Sequence, residues 1–391
     1  MFDVNPDAAV QNPPARPPIN RRRLLLSAAG GVGALALVGG ARWWADRGAE
    51  RGPRLWDTTA ASGRVLLADG PQQAVYVSGY DGTVRALDPG TGAVRWSRTV
   101  GAPDPVTESI GGRPAVVGSG VVCVTGTTGL QAFDAATGEP RWQVPVPEWS
   151  DLPWGTGPAL GGGTVYAVHG GSLHAYDAAT GETRWSRAAD VSGHLAADGD
   201  GVYAAGAAAG VRAFDARTGG PRWTEDTLVP TGSTPLVHRG AVLFAHATGA
   251  AATTGVSSLD AATGRVRWRR TQRGATNCPL SVAGGTACFL SGTRLTGFDT
   301  ETGEPRWQSS VVAGLGRGES SMTVAEGGVY VGTNDERLFA YALDTGKLRW
   351  QDAPEKLRSD TEYTRVSLAA TGTTVFRSTL NGGVHALGAS A

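Results

Sequence analysis

The 391-residue chain balances 35 basic against 35 acidic side chains and carries 58 glycines. Zero formal charge removes the long-range field that gathers polyanions, which excludes nucleic acid as the main partner. Glycine at this level without a collagen period predicts many short strands and tight turns, and a chain longer than roughly 250–300 residues splits or repeats.

At the amino terminus, residues 1–20 are polar and proline-rich; Arg21-Arg22-Arg23-Leu24-Leu25-Leu26 then opens an apolar run to about Ala41. A basic stretch, a glycine-diluted apolar core and the small-x-small sequence Gly39-Gly40-Ala41 read as an export signal. The paired arginines before Leu-Leu resemble a twin-arginine signal, with Arg42 closing the apolar run. Its 18 residues barely span a bilayer, so the segment is either cleaved or kept as a membrane anchor. No cysteine follows it, which excludes a lipoprotein anchor. Residues 1–52 are thus signal or anchor plus linker, and 53–391 the folded domain.

The rest of the chain repeats. Seven segments superpose: Ala86–Trp96 (ALDPGTGAVRW), Ala132–Trp142 (AFDAATGEPRW), Ala175–Trp185 (AYDAATGETRW), Ala213–Trp223 (AFDARTGGPRW), Ser258–Trp268 (SLDAATGRVRW), Gly297–Trp307 (GFDTETGEPRW) and Ala340–Trp350 (AYALDTGKLRW). Their tryptophans recur every 38–46 residues, and a period near 42 with about four short strands per unit is the signature of propeller blades. The aspartate ends one strand and caps the following turn through its carboxylate. The Thr-Gly glycine supplies the positive φ of a bulged hairpin. The tryptophan begins the outer strand and wedges between blades, burying roughly 200 Å². Trp56, Trp96, Trp142, Trp185, Trp223, Trp268, Trp307 and Trp350 are therefore docking residues. The arginine before each repeat tryptophan faces the other way, which predicts protection of an open sheet edge. In the seventh copy Ala342 replaces the aspartate, so that turn is predicted to be rebuilt.

Cys123, in Val121-Val122-Cys123-Val124, reads as a buried strand residue. Cys278 and Cys288 are offset along a hairpin turning at Gly284-Gly285, which disfavours a bridge. Upstream of the first repeat, Arg54-Leu55-Trp56 is an orphan outer strand. Downstream of the last, Val366–Ala370, Thr374–Ser378 and Gly383–Leu387 make three strands without a fourth. The two fragments complete one another: residues 54–57 pair beside 384–387, and the fold is all-β, an eight-bladed propeller of four-stranded antiparallel blades.

The Ala-x-Asp-x-x-Thr-Gly-x-x-x-Trp segments, as in Ala132–Trp142, resemble the tryptophan-docking motif of PQQ-like propellers, over residues 53 to 388. That superfamily holds quinoprotein alcohol dehydrogenases and BamB-like outer-membrane assembly lipoproteins. The resemblance implies the fold; it does not carry one activity. The dehydrogenases bring adjacent cysteines, long insertions and a calcium-binding acidic set. This chain has no adjacent cysteines and little room for insertions, so neither PQQ nor calcium is assigned to it.

Partner binding is expected on the face bearing the outer-to-inner loops. Pro103–Arg113 brings Asp104 and Glu108; Pro145–Gly157 brings Glu148, Trp149, Asp151 and Trp154; Asp352–Arg365 brings Glu355, Asp360, Glu362 and Tyr363. Glu319 belongs to the same set. Trp149 and Trp154 lie outside the repeat, and aromatics beside carboxylates suit a peptide or glycan patch, the alternative being that they cap a blade. Gly249–Gly255 reads as a flexible insertion. His169 and His174 flank a Gly-Gly turn as a solvated pair; no metal-ligand spacing, nucleophile elbow or phosphate loop stands out, and catalytic residues are not assigned. The function expected is a non-catalytic extracytoplasmic binding or assembly platform for protein or cell-envelope material. A ligand sensor working with a separate signalling protein and a PQQ-dependent oxidoreductase are the alternatives.

Overall fold

The computed structural model describes residues 50–59, 63–67, 74–79, 81–101, 115–126, 128–146, 157–188, 194–206, 210–231, 234–247, 253–273, 278–311, 321–325, 327–333, 336–353, 366–378 and 383–389. Within them the chain forms eight sheets whose four main strands are antiparallel, laid in chain order from the inside outward except that the eighth takes its outermost strand from the start of the chain. Blade 3 is typical: Ala159–Gly161, Thr164–His169, Ser172–Asp177 and Thr183–Ala188. The inner strand of each blade lies beside that of the next, from blade 1 through blade 8 and back to blade 1, which closes the ring.

Burial follows the radial position. Second strands such as Val121–Gly126 are enclosed throughout, because a neighbouring blade covers each face. Outer strands alternate, as in Thr183–Ala188, where the tryptophan alone is buried. Eight apolar clusters fill the interfaces between consecutive blades. At roughly 25 cal/mol per Å² these interfaces dominate the stabilisation of the ring.

Each motif residue has a visible task. Asp134 ends its strand, and its carboxylate accepts from the amides of Ala136 and Thr137 at 3.0 and 2.9 Å. Gly138 sits at φ 70° and closes the turn by donating to the Asp134 carbonyl at 2.8 Å. The pairing register slips at this bulge, between Pro140 and Trp142. Trp142 then donates its indole N–H to the Ala178 carbonyl of blade 3 at 2.9 Å. Trp56, Trp96, Trp185, Trp223, Trp268 and Trp307 make the equivalent bond to the next blade.

Trp350 is the exception. It is fully buried, yet its indole nitrogen has no acceptor among the described residues. The carbonyl at the matching place, Ala389, accepts from Tyr330 at 2.9 Å, whereas Ala135 accepts from both Tyr76 and Trp96.

Two expectations are corrected. The arginine before the tryptophan is more than an edge guard: in six blades it turns back to the motif aspartate seven residues earlier. Arg95–Asp88, Arg141–Asp134, Arg184–Asp177, Arg222–Asp215, Arg267–Asp260 and Arg306–Asp299 lie 2.5–2.8 Å apart. The bulged hairpin places the two residues side by side on the exposed face. The seventh turn is also not rebuilt. Ala342 accepts from Gly346 and donates to Lys347, both at 2.8 Å, as Asp134 does with Gly138 and Glu139. The backbone bonds hold that shape without the carboxylate cap.

Closure is as the sequence implied. Trp56 lies opposite Ala386, Asp57 opposite His385 and Thr58 opposite Val384, so the first outer strand completes blade 8. Upstream of it, Glu50–Arg51 adds a fifth strand to blade 7, parallel to Trp350–Gln351. All three cysteines are free thiols; Cys278 precedes the strand in which Cys288 pairs with Ser281.

Candidate functional site

Ser172 lies opposite Ala188, so the turn joining the second and third strands sits at the end of the blade where the outer strand finishes. That end carries the outer-to-inner loops. Glu148, Trp149, Asp151, Trp154, Glu319, Glu362 and Tyr363 all lie outside the described residues, as do Asp104, Glu108, Glu355 and Asp360. Of the Gly249–Gly255 stretch, Thr253 to Gly255 belong to the third strand of blade 5, Thr254 and Gly255 paired with the second strand and Thr253 with the outer one, and hence not loose.

What the structure does assemble flanks blade 3: a histidine stack at that end on one side, and on the other a rim groove that reaches toward the opposite end. On the side facing blade 2, His169 and His174 stack with ring centroids 3.7 Å apart and planes within 5°. Tyr176 continues the stack, 6.0 Å from His174, and its hydroxyl lies 2.7 Å from His169 Nε2. Both positions follow from strand alternation across the Gly170-Gly171 turn. Tyr176 packs into the blade 2–3 core, so His174, two residues earlier, faces the same way. That face looks onto the blade 2 strand ending at Pro145, where the loop bearing Trp149 and Trp154 departs.

The pair is half-buried, where the sequence predicted a solvated one. Burial, and then the proximity of His174, pull the His169 pKa down to about 4; burial lowers His174 too, opposed by its bond to the His169 carbonyl. Two neutral imidazoles and a phenol therefore form a flat, uncharged, hydrogen-bonding surface at neutral pH. Parallel stacking keeps their lone pairs from converging on one ion.

On the other side of blade 3 an open groove of about 320 Å³ separates it from blade 4. Arg187 and Ala188 form one wall, Arg212 and Thr224 the other, with Phe214 and Trp223 among the lining residues. Arg187 is held in place by donating to the Thr218 carbonyl at 3.1 Å. A groove with two guanidinium groups beside aromatic rings suits an extended segment carrying carboxylates.

Among the described residues no calcium-binding acidic set is assembled. No three His, Cys, Asp or Glu side chains converge as metal ligands there. The thiols of Cys123 and Cys288 sit within strands of blades 2 and 6, and burial pushes both pKa values up. They are far apart in sequence and cannot supply an adjacent pair.

An eight-bladed, tryptophan-docked ring defines a PQQ-like β-propeller. The family described as outer membrane protein assembly factor BamB matches residues 6–148, 128–277 and 211–390, and the chain belongs to it. No curated protein matches the sequence. Among solved structures, BamB from Moraxella catarrhalis is 18% identical over 85% of this chain and 100% of its own, with a TM-score of 0.62. The computationally designed Ika8 protein is 14% identical over 86% and 100%, with a TM-score of 0.63. The quinohemoprotein alcohol dehydrogenase from Comamonas testosteroni is 15% identical over 86% and 76%, with a TM-score of 0.59. These likenesses show a shared fold.

Proposed function

We propose that this protein is a non-catalytic scaffold outside the cytoplasm that holds a protein partner, or other cell-envelope material, on its loop face around blade 3. One observation carries this reading: the repeated charged residues are already spent. Six motif aspartates are paired with their own arginines, and the indoles are committed between blades, so the framework leaves recognition to the loops and to the two surfaces flanking blade 3. Membership of a family described as an assembly factor supports the reading, and the twin-arginine-like segment Arg21–Ala41 supports export or anchoring.

The test is capture from solubilised cell envelope with the full chain as bait. A Trp149→Ala/Trp154→Ala variant should lose the captured partner, whereas Asp134→Ala, which alters only a motif turn and its ion pair with Arg141, should keep it. Equal recovery by both variants contradicts the proposal. Titration with PQQ and Ca²⁺ tests the oxidoreductase alternative: a stoichiometric absorbance shift would replace the scaffold reading with an enzymatic one.

A further inference from the structure

Blade 5 departs from the repeat in one respect that neither packing nor the loop face explains. Its outer strand, Val266–Arg273, has eight residues, while the other seven outer strands have five or six. One of its faces is committed to blade 6. Trp268 donates to the Thr300 carbonyl, and Arg270 donates to the Gly303 carbonyl and pairs with Glu304. The alternate residues Arg269, Thr271 and Arg273 form the other face and are exposed, and Arg265 and Arg267, at the bulged turn that leads into the strand, are exposed as well. Arg267 is neutralised by Asp260. Among the described residues Arg265, Arg269 and Arg273 have no carboxylate partner. On the adjoining outer strand of blade 4, the Glu225 carboxylate accepts from the amide of Thr227 at 2.9 Å.

The repeat shows how unusual these arginines are. The residue after the docking tryptophan is Ser97, Gln143, Ser186, Thr224, Gln308, Gln351 or Asp57 in the other blades; here it is Arg269. The residue after the Thr-Gly glycine is Glu139, Glu182 or Glu304 in three blades; here it is Arg265. Shielding an edge takes a charge or two, which the motif arginine already provides in the seven blades that carry it, blade 5 among them. Three further cations at this edge, without a carboxylate partner among the described residues, exceed that need in a chain whose total charge is zero.

We infer that the outer edge of blade 5 is a docking site for an extended acidic segment of a protein partner, which pairs with Val266–Arg273 as an added strand and sets alternate carboxylates against Arg265, Arg269 and Arg273. Two features select a peptide. The strand is the last in its sheet, so every second residue turns its amide and carbonyl outward. Arg269 and Arg273 stand on one strand face, two steps of about 6.8 Å apart, the spacing of alternate side chains on a β-strand, and Arg265 extends the charge into the turn before it. The molecule itself shows an outer edge accepting another strand, where Glu50–Arg51 pairs with Trp350–Gln351. This edge lies apart from the surfaces flanking blade 3, and the inference does not depend on them.

The test uses the full chain and a capped nine-residue peptide alternating Glu with Val, followed by fluorescence anisotropy at low and high salt. Three comparators are a peptide of the same composition with its glutamates grouped, an alternating peptide N-methylated at every second amide, and inorganic polyphosphate. The alternating peptide should bind and should slow hydrogen exchange across residues 266–273; grouping or methylation should weaken it about tenfold. Arg269→Ser/Arg273→Thr should lose binding by at least about tenfold with an unchanged Tm, and Arg269→Glu/Arg273→Glu should instead take an alternating Lys/Val peptide. No binding, binding indifferent to methylation and grouping, or equal competition by polyphosphate would overturn the inference.

Discussion

Gly52 lies flat against the indole of Trp350: a Cβ on that glycine would stand 2.6 Å from Cε3 and 2.7 Å from Cζ3. Gly138 holds the same relation to Trp96, at 2.6 Å from Cδ2, and both glycines lie four residues before a docking tryptophan. Gly52 is thus the Thr-Gly glycine of blade 8, supplied from the other end of the chain. The amide of Gly388 donates to the Pro53 carbonyl at 2.8 Å, as Asp134 does to Glu139. The two chain ends rebuild a motif turn that has been cut.

Gly52→Val therefore overpacks a tryptophan with no room to yield. The expected loss is about 1–3 kcal/mol in urea unfolding. Gly199→Ala is the control: a Cβ there meets nothing within 4 Å, so its stability should stay within about 0.5 kcal/mol of the parent.

Ala342→Asp should stabilise. The backbone turn already has the motif shape, and the new carboxylate would give Arg349 the partner its six counterparts have. A gain of about 0.5–1.5 kcal/mol in the same experiment is expected. A loss would mean that the nearby Asp344 repels the new charge.

Arg377 is 1% exposed at a position that is Val77, Val124, Ala167, Ala204, Phe244, Phe289 or Val331 in the other blades. It pairs with Asp352 at 3.0 Å, which Arg54 of the first outer strand also grips at 3.1 Å. Asp352→Leu leaves the Arg377 charge buried and uncompensated, at a cost of about 3–5 kcal/mol; Asp352→Leu/Arg377→Leu should recover most of it. Denaturant midpoints of the two variants decide the matter.

The histidine stack sets an acid limit. The folded pKa of His169, about 4, lies below the ordinary histidine value of about 6.5, and His174 shifts in the same direction. The unfolded chain therefore binds more protons between about pH 6.5 and 4, so this contribution is complete above that window and is lost as pH falls through it. His238 and His246 share the direction. His169→Gln/His174→Gln should accordingly flatten the stability profile between pH 6.5 and 4 without removing all of its slope. The motif aspartates act lower: Asp134, held down to about 2 first by Arg141, loses its contribution only as pH falls below the usual carboxylate range.

The docking tryptophans and the closing strand were legible because the repeat fixes their spacing and one blade was visibly short of a strand. The Asp–Arg pairs were not read, although the seven-residue interval recurs in six copies, because simple alternation sends the arginine outward and only the bulge returns it to the aspartate. Gly52 was missed for a related reason: its offset from Trp56 matches the motif, but the residues before it do not. Arg377 gave no signal, since Thr-Val-Phe-Arg-Ser reads as an ordinary half-exposed strand until blade 7 covers it. The arginines of blade 5 could be counted in the sequence, but the face shared by Arg269 and Arg273 emerged only once Trp268, Arg270 and Gln272 were seen to turn toward blade 6.

The direct test of closure is a circular permutant joining Ala389 to Glu50, opened between Ala216 and Arg217 and lacking residues 1–49, with unfolding and hydrogen exchange followed together. The direct peptide bond restores the residue count between Gly388 and Gly52 found between Asp134 and Gly138. A monomer that unfolds in one step, with Arg54–Thr58 protected as strongly as the other outer strands, is the result expected. An aggregated or non-cooperative product, or free exchange across Arg54–Thr58, would contradict a ring sealed by its own first strand.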